Sequence, residues 1–304
     1  MKLGQKEPAF YAEEIFQYYG LSRQAHHQWL QAEDHRLLEE EIILQYVRQV
    51  RQRLPKLGGR KLHYLLGKKW DEFGFSLGRD HLFDLLRQQG LLVERIKKRV
   101  STTHSKHRFY IYDNLFKNLV DISKNQVIVA DITYLETREG FGYLALITEV
   151  YSRKIMGYDF CGSLSIEGSL RALTMALDQT QSPQGMIHHS DRGIQYCSKA
   201  YIQLLTDHHC QISMAEKGNP YENALAERIN GILKEEFLLN QGFRSLLEAR
   251  KAVIEAIHLY NEERPHSRIG MLTPHQKYAL EETPLRGAPP GGYGSTRVAH
   301  ALAS

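Results

Sequence analysis

Three carboxylates, Asp131, Asp191 and Glu227, set the chemistry open to this chain. Asp131 closes the apolar half of a β-branched run, VIVADITYL over 127–135. An ionised group in a central strand costs several kcal/mol unless it is paired or bound to a metal. Asp191 follows the run GMIHHS and opens Asp191-Arg192-Gly193, at a strand-to-loop junction where ligand sites of α/β sheets gather. Glu227 comes after 35 intervening residues, on a helix predicted over 222–238. At 100° per residue, Asn223, Glu227, Asn230 and Lys234 fall within about 60° of one another. Leu225, Ile229, Ile232 and Leu233 cover the opposite arc. Lys234 stands seven residues after Glu227, two turns on, and so shares its face.

Phosphodiester attack needs an activated oxygen nucleophile and a stabilised leaving oxygen, and two divalent ions about 3.5–4 Å apart supply both. Hard Mg²⁺ prefers carboxylate oxygens and keeps several waters, which leaves room for a substrate phosphate. Three carboxylates on separate elements match that demand, with two Mg²⁺ ions expected and Mn²⁺ as a substitute. Lys234 and Arg192 are placed to contact phosphates, with Asn223 and Asn230 on the same stripe. His188 and His189 are adjacent on a strand and point to opposite faces, so they are expected to be structural or DNA-facing rather than joint ligands.

The elements that must position these groups are legible in the pattern. From Gln126 the chain reads as strands: 127–135, 141–150 and 154–160, joined by short turns, which predicts an antiparallel meander. A helix over 166–179, a strand over 185–190, a helix over 198–208 and a short strand over 211–215 follow. That order, strand-strand-strand-helix-strand-helix-strand-helix, predicts a mixed sheet flanked by helices. Two closing helices are marked by Ser245-x-x-Glu248 and by Thr273-Pro274-x-Gln276. Residues 282–304, rich in Gly and Pro, are expected to be a disordered tail.

Upstream the chain is helical and basic. Residues 11–30 suggest helix, turn, helix, with Gly20 at the turn, Ser22 as N-cap, and Ala25, Trp29 and Leu30 facing inward. A longer helix is predicted over 35–54, and a second helical pair over 59–90 that ends at Gly90. Residues 1–125 carry 22 Lys/Arg against 15 Asp/Glu, whereas 126–304 carry 17 against 20. A basic region beside an acidic, metal-ready one suits an enzyme that holds a polyanion and cuts it. Arg60 and Lys61 on the helical pair, and Lys97, Lys98 and Arg99 in a linker over 95–124, are the candidate phosphate contacts. The expected organisation is 1–54, 55–94, the linker, a catalytic core over 125–240, a helical extension over 241–281, and the tail. Cys161, Cys197 and Cys210 form no C-x-x-C pair and are expected to be reduced thiols. No apolar run approaches the roughly 18–20 residues of a membrane span, and MKLGQKEPAF lacks a signal-like apolar block, so a soluble intracellular protein is expected.

Four segments, VADITYL, HHSDRGIQYCS, KGNPYENALAERINGILKEE and YNEERPHSRIGMLTP, resemble in order the integrase core of bacterial insertion-sequence transposases, relatives of retroviral integrases. The likeness covers about residues 125–280, and the helical region resembles the part preceding that core in the product of the family's second reading frame. Ile128 stands where the family often has Trp, and Glu222 where Asp is usual. The resemblance implies a ribonuclease-H-like fold, with Asp131, Asp191 and Glu227 holding two metals and Lys234 contacting terminal transposon DNA. It implies copy-out, paste-in transposition: a 3′-hydroxyl at one end attacks the flank of the other, and the exposed ends of a circular intermediate then join target DNA. The implied partners are the terminal inverted repeats, target DNA and further copies of the chain, in a bacterial cytoplasm at the nucleoid. A helix-turn-helix and leucine-zipper protein from an upstream frame is left open as a partner. A nuclease of the same fold and a non-catalytic DNA-binding regulator are the alternatives.

Overall fold

A computed structural model describes residues 18, 20, 22–73, 76–94, 109–117, 119–216 and 223–280. Its centre is a five-stranded sheet of β1 (Val127–Thr137), β2 (Gly140–Glu149), β3 (Ile155–Cys161), β4 (Ile187–Ser190) and β5 (Gln211–Met214), in the order β3-β2-β1-β4-β5. β1, β2 and β3 run antiparallel as the predicted meander. β4 and β5 are parallel to β1. Parallel neighbours require crossovers, and these are helices: α4 (Ile166–Asp178) before β4 and α5 (Lys199–Asp207) before β5. This is the mixed, ribonuclease-H-like sheet expected from the element order.

Period-two alternation divides β1 between two cores. Ile128 and Ala130 pack with Ala172, Leu173, Ala176, Tyr201 and Leu205 of α4 and α5. Val127 and Val129 face the other way, toward Ala226 of α6 (Ala224–Glu235) and the segment carrying Phe116, Leu119 and Ile122. Asp131 therefore points to the α6 side. α4 lies so close to the sheet that a Cβ on Gly157 would come within 2.0 Å of the Ala172 carbonyl oxygen.

α7 (Leu246–Glu262) fastens the outer strand: Asn261 accepts from the Ile155 amide and donates to its carbonyl, both at 3.0 Å, as a neighbouring strand would. Ser245 caps α7 by accepting from Glu248 N, but Glu248 reaches back one residue further, to Arg244 N, so the predicted box closes on Arg244. In α8 (Pro274–Ala279) the Thr273/Gln276 box forms as expected.

The helical region departs from expectation at its start. Ser22 is the N-cap, accepting from Ala25 N, but α1 then runs unbroken from Arg23 to Arg53. No Gly or Pro interrupts that span, so the two helices expected there are one. Ala25, Trp29 and Leu30 are exposed rather than inward-facing, because only the far end of α1, through Ile43, Leu44 and Val47, reaches the body. The expected first helix of the pair, 11–19, lies largely outside the described residues, as do the linker's basic residues and the tail. α2 (Gly59–Phe73) and α3 (Arg79–Gln88) form the second pair, closed by Gly90 at φ 64°. Their apolar faces join one continuous core with α6 and α7. The three cysteines are free thiols. Among the described residues, no helix is long and apolar enough to cross a membrane.

Candidate active site

Asp131 sits where β1 passes under α6. The residue keeps some exposure, but its carboxyl is turned inward, and Asn230 Nδ2 donates to Oδ2 at 2.6 Å. Burial pushes this carboxyl up to about 7; the charge of Asp191 adds to the shift and Glu227 adds less, against the hydrogen bonds from Asn230 and the Ile132 amide. The three acids thus share one electrostatic neighbourhood despite their separation in the chain. Glu149 makes a useful contrast. It is fully buried at the end of β2, yet its carboxylate accepts from the amides of Asn125, Tyr151 and Ser152, so its role in the turn is accounted for.

Asp191 leaves β4 and folds back so that its Oδ1 accepts from Gly193 N at 2.9 Å. A Cβ on Gly193 would lie 2.9 Å from the same oxygen, so any larger residue there would displace the Asp191 carboxylate. Tyr196 packs in the core beneath the loop; burial and Tyr201, then the two aspartates, hold its phenol protonated. Arg192 Nε donates to the Ala215 carbonyl at 2.8 Å and ties the loops after β4 and β5 together.

α6 supplies the rest. Glu227 is exposed in its first turn. Asn223 and Asn230, expected on the DNA-contacting stripe with Glu227 and Lys234, are buried, because that stripe lies over Asp131. Among the described residues, the Oδ1 atoms of both have no hydrogen-bond partner. Lys234 is half-buried; burial lowers its pKa while the charge of Asp131 opposes, and its Nζ stands 4.5 Å from the centre of the Tyr134 ring. That aromatic neighbour escaped sequence reasoning, since Tyr134 carries no signal beyond strand propensity.

The remaining candidates separate. Arg60 is exposed on α2. Lys61, expected on the same DNA-binding face, is turned inward instead: its Nζ donates to both Glu236 oxygens at 3.2 and 3.3 Å. Arg264 grips the same carboxylate at 2.8 and 2.7 Å. Lys97, Lys98 and Arg99 lie outside the described residues. His188 bonds the Tyr201 hydroxyl and His189 the Ser213 hydroxyl, on opposite faces of β4, both as buried packing groups.

Chemically, the site is a group of carboxylates short of positive charge. A carboxyl raised to about 7 by burial and then by the charges of Asp191 and Glu227, beside an amide oxygen without a partner among the described residues, fits a divalent cation and its waters. Among the described residues, no three His, Cys, Asp or Glu side chains stand close enough to enclose one ion unaided.

Models of the integrase core domain match residues 122–220 and 208–274. The 31 kDa protein of insertion element IS600 from Shigella sonnei is 37% identical over 263 residues, spanning 85% of this chain and 95% of that protein. The transposase for insertion sequence element IS629 from Shigella sonnei is 30% identical over 268 residues, 84% of this chain and 85% of that one. The chain belongs to the insertion-sequence transposases with an integrase core. The transposase is thus a polynucleotidyl transferase of the DDE class. Among solved structures, the HTLV-2 integrase catalytic core domain in complex with magnesium shares 17% identity with it, covering 51% of this chain and 96% of that one at a TM-score of 0.41. That likeness is too distant for transfer of residue roles.

Proposed function

We propose that the transposase cleaves and joins the ends of its insertion sequence with Asp131, Asp191 and Glu227 as the acidic triad, holding two Mg²⁺ ions for which Mn²⁺ can substitute. The observation that carries this reading is the Asp131 carboxyl, held by Asn230 and raised first by burial and then by the charges of Asp191 and Glu227. Bound there, the ions activate the attacking oxygen and stabilise the leaving one.

The side chains do the positioning. Asn230 and the Ile132 amide fix the Asp131 carboxyl. The Gly193 amide fixes the Asp191 carboxylate. Lys234 sets a phosphate of the terminal DNA beside Asp131, and Arg192 stiffens the loop that borders it. The 3′-hydroxyl of one end forms a bond to the target phosphorus, gives its proton to solvent, and displaces the 3′-oxygen of the attacked strand. Arg60 and the linker cations Lys97, Lys98 and Arg99 track the backbone of the terminal repeat. Paired ends bring copies of the chain together, with an upstream-frame protein as a further partner, at the bacterial nucleoid.

The test is an end-cleavage and joining assay with Mg²⁺ on duplexes carrying the element's terminal repeats. Asp191→Asn should abolish both steps while end binding stays within a few-fold of wild type. Retained joining would remove Asp191 from the triad, and nicking without joining in the wild type would make the enzyme a nuclease.

A further inference from the structure

Two aromatic side chains beside the acidic site have no structural explanation in the folded chain. Tyr134 on β1 is 57% exposed and Phe141 on β2 is 52% exposed. Tyr134 pairs with Tyr143 and Phe141 with Glu136, which makes Tyr134 and Phe141 diagonal neighbours on one face of the hairpin. Their rings meet edge to face, 5.3 Å between centres and 77° between planes. Such a pair supports itself while both residues stay more than half exposed, with the Lys234 ammonium over the Tyr134 ring.

Its position gives the pair a use. Tyr134 lies three residues beyond Asp131 along β1, about 10 Å at strand rise, and its side chain leaves the strand on the opposite face. Lys234 bridges the gap, with its ammonium over the Tyr134 ring and within the field of Asp131. Carboxylate, cation and aromatic face follow one another at a spacing of one or two nucleotides. Two side chains expose far less than the roughly 800 Å² per partner of a stable protein interface. A single base is the right size for them, and π-faces beside a cation are how proteins hold unpaired nucleotides.

We propose that Tyr134 and Phe141 form a stacking platform for one unstacked base of the DNA end, next to the phosphate that Lys234 holds. The platform rests on the proposed DNA-joining role of this site. It makes fraying of the terminal base pairs part of binding, and it assigns the two residues to positioning rather than to chemistry.

The experiment crosses enzyme and substrate changes. Wild type, Tyr134→Ala and Phe141→Ala are compared on end duplexes with an intact base or a single abasic position at each of the last few nucleotides. End affinity is read by gel shift and the joining rate by gel. Stacking of one base corresponds to about a 5- to 150-fold change in affinity. The expected result is a loss in that range for each alanine variant, an equal loss for wild type at one abasic position, and no further loss when the two are combined. Tyr134→Phe and Phe141→Trp, which keep a ring face, should retain wild-type affinity. Both alanine sites are exposed, so unchanged thermal unfolding will show that the fold is intact. Additive losses, or an abasic scan with no sensitive position, would overturn the platform. An alanine variant that changes sedimentation mass without any abasic sensitivity would make the patch a contact between protein copies and would overturn it too. A wild type that binds ends with the predicted non-additivity but never joins them would leave the platform standing and sink the functional reading instead.

Discussion

Replacing Arg264 by Met should destabilise the transposase by about 3 kcal/mol and loosen the helix that carries Glu227 and Lys234. Arg264 is buried, its side chain only 2% exposed, and its guanidinium makes two charge-assisted bonds to Glu236, the C-cap residue of α6. The same carboxylate takes Lys61 from α2, and the Glu236 main-chain carbonyl accepts from Lys56 N at 3.1 Å. One acidic residue therefore joins the helical region, α6 and the segment after α7. Removing one partner of a buried pair costs about 3–5 kcal/mol because the other charge stays desolvated. The low end applies here, since Lys61 remains and the Glu236 side chain keeps 18% exposure. Burial alone would raise the pKa of Glu236, but Arg264 and then Lys61 outweigh it and hold the carboxyl below its ordinary value. A depressed carboxylate contributes stability above its unfolded pKa and loses it as pH falls through the folded one. The deficit of Arg264→Met should thus be full near pH 7 and shrink as the pH falls below the ordinary glutamate range and through the depressed folded pKa, where Glu236 becomes protonated in the wild type as well. Thermal unfolding at pH 7 should show a fall in Tm of about 5–10 °C. The triple variant Arg264→Met, Glu236→Leu, Lys61→Met should recover most of the loss, as apolar replacement of buried ion networks does. A single variant within 1 kcal/mol of wild type, or a triple variant less stable than the single one, would refute the reasoning.

Gly193→Ala should leave the unfolding midpoint almost unchanged but lower end joining by at least tenfold, because the new methyl meets Asp191 Oδ1 and turns the carboxylate away; normal joining kinetics would show that Asp191 does not need that orientation. Lys61, whose ammonium is pushed down to about 8 by burial and by Arg264 against the pull of Glu236, binds a proton more weakly folded than unfolded. Wild-type stability should therefore gain from this group as pH rises from about 8 to 10.5, and Lys61→Met should flatten that part of a denaturant-midpoint profile; an unchanged slope would remove Lys61 as its source. Neutralising Lys97, Lys98 and Arg99 should weaken end binding and reduce the slope of affinity against salt by up to about three, and an unaltered slope would make the linker a bystander.

What the sequence could reveal depended on whether the partner of each residue was local. The strands were legible because their β-branched runs and turns are local signals, and the order of elements then pointed to a mixed sheet flanked by helices. Ser22 and Thr273 were legible as caps because a cap acts within three residues. The break expected near residue 30 was not there, since helices end at local stop signals and Arg23–Arg53 contains neither Gly nor Pro. Lys61 was read as a phosphate contact because its counter-charge, Glu236, is 175 positions away and no local pattern announces it.

The polar stripe of α6 shows the same limit at the site itself. Periodicity placed Asn223, Glu227, Asn230 and Lys234 together, but a stripe of polar residues reads alike whether it faces water or a buried carboxylate. The fold decides between these by laying α6 across β1, where Ile128, Ala130 and Ile132 enter one core while Val127, Val129 and Asp131 face the helix. Asp131 thus meets Asn230, and the charge of Lys234 is drawn toward it and onto Tyr134. A one-residue slip of β1 would bury Ile132 under α6 and carry the acid into the α4 core. Strand register therefore assembles the site as much as the acids themselves do. Changing that register should silence joining even with all three carboxylates in place.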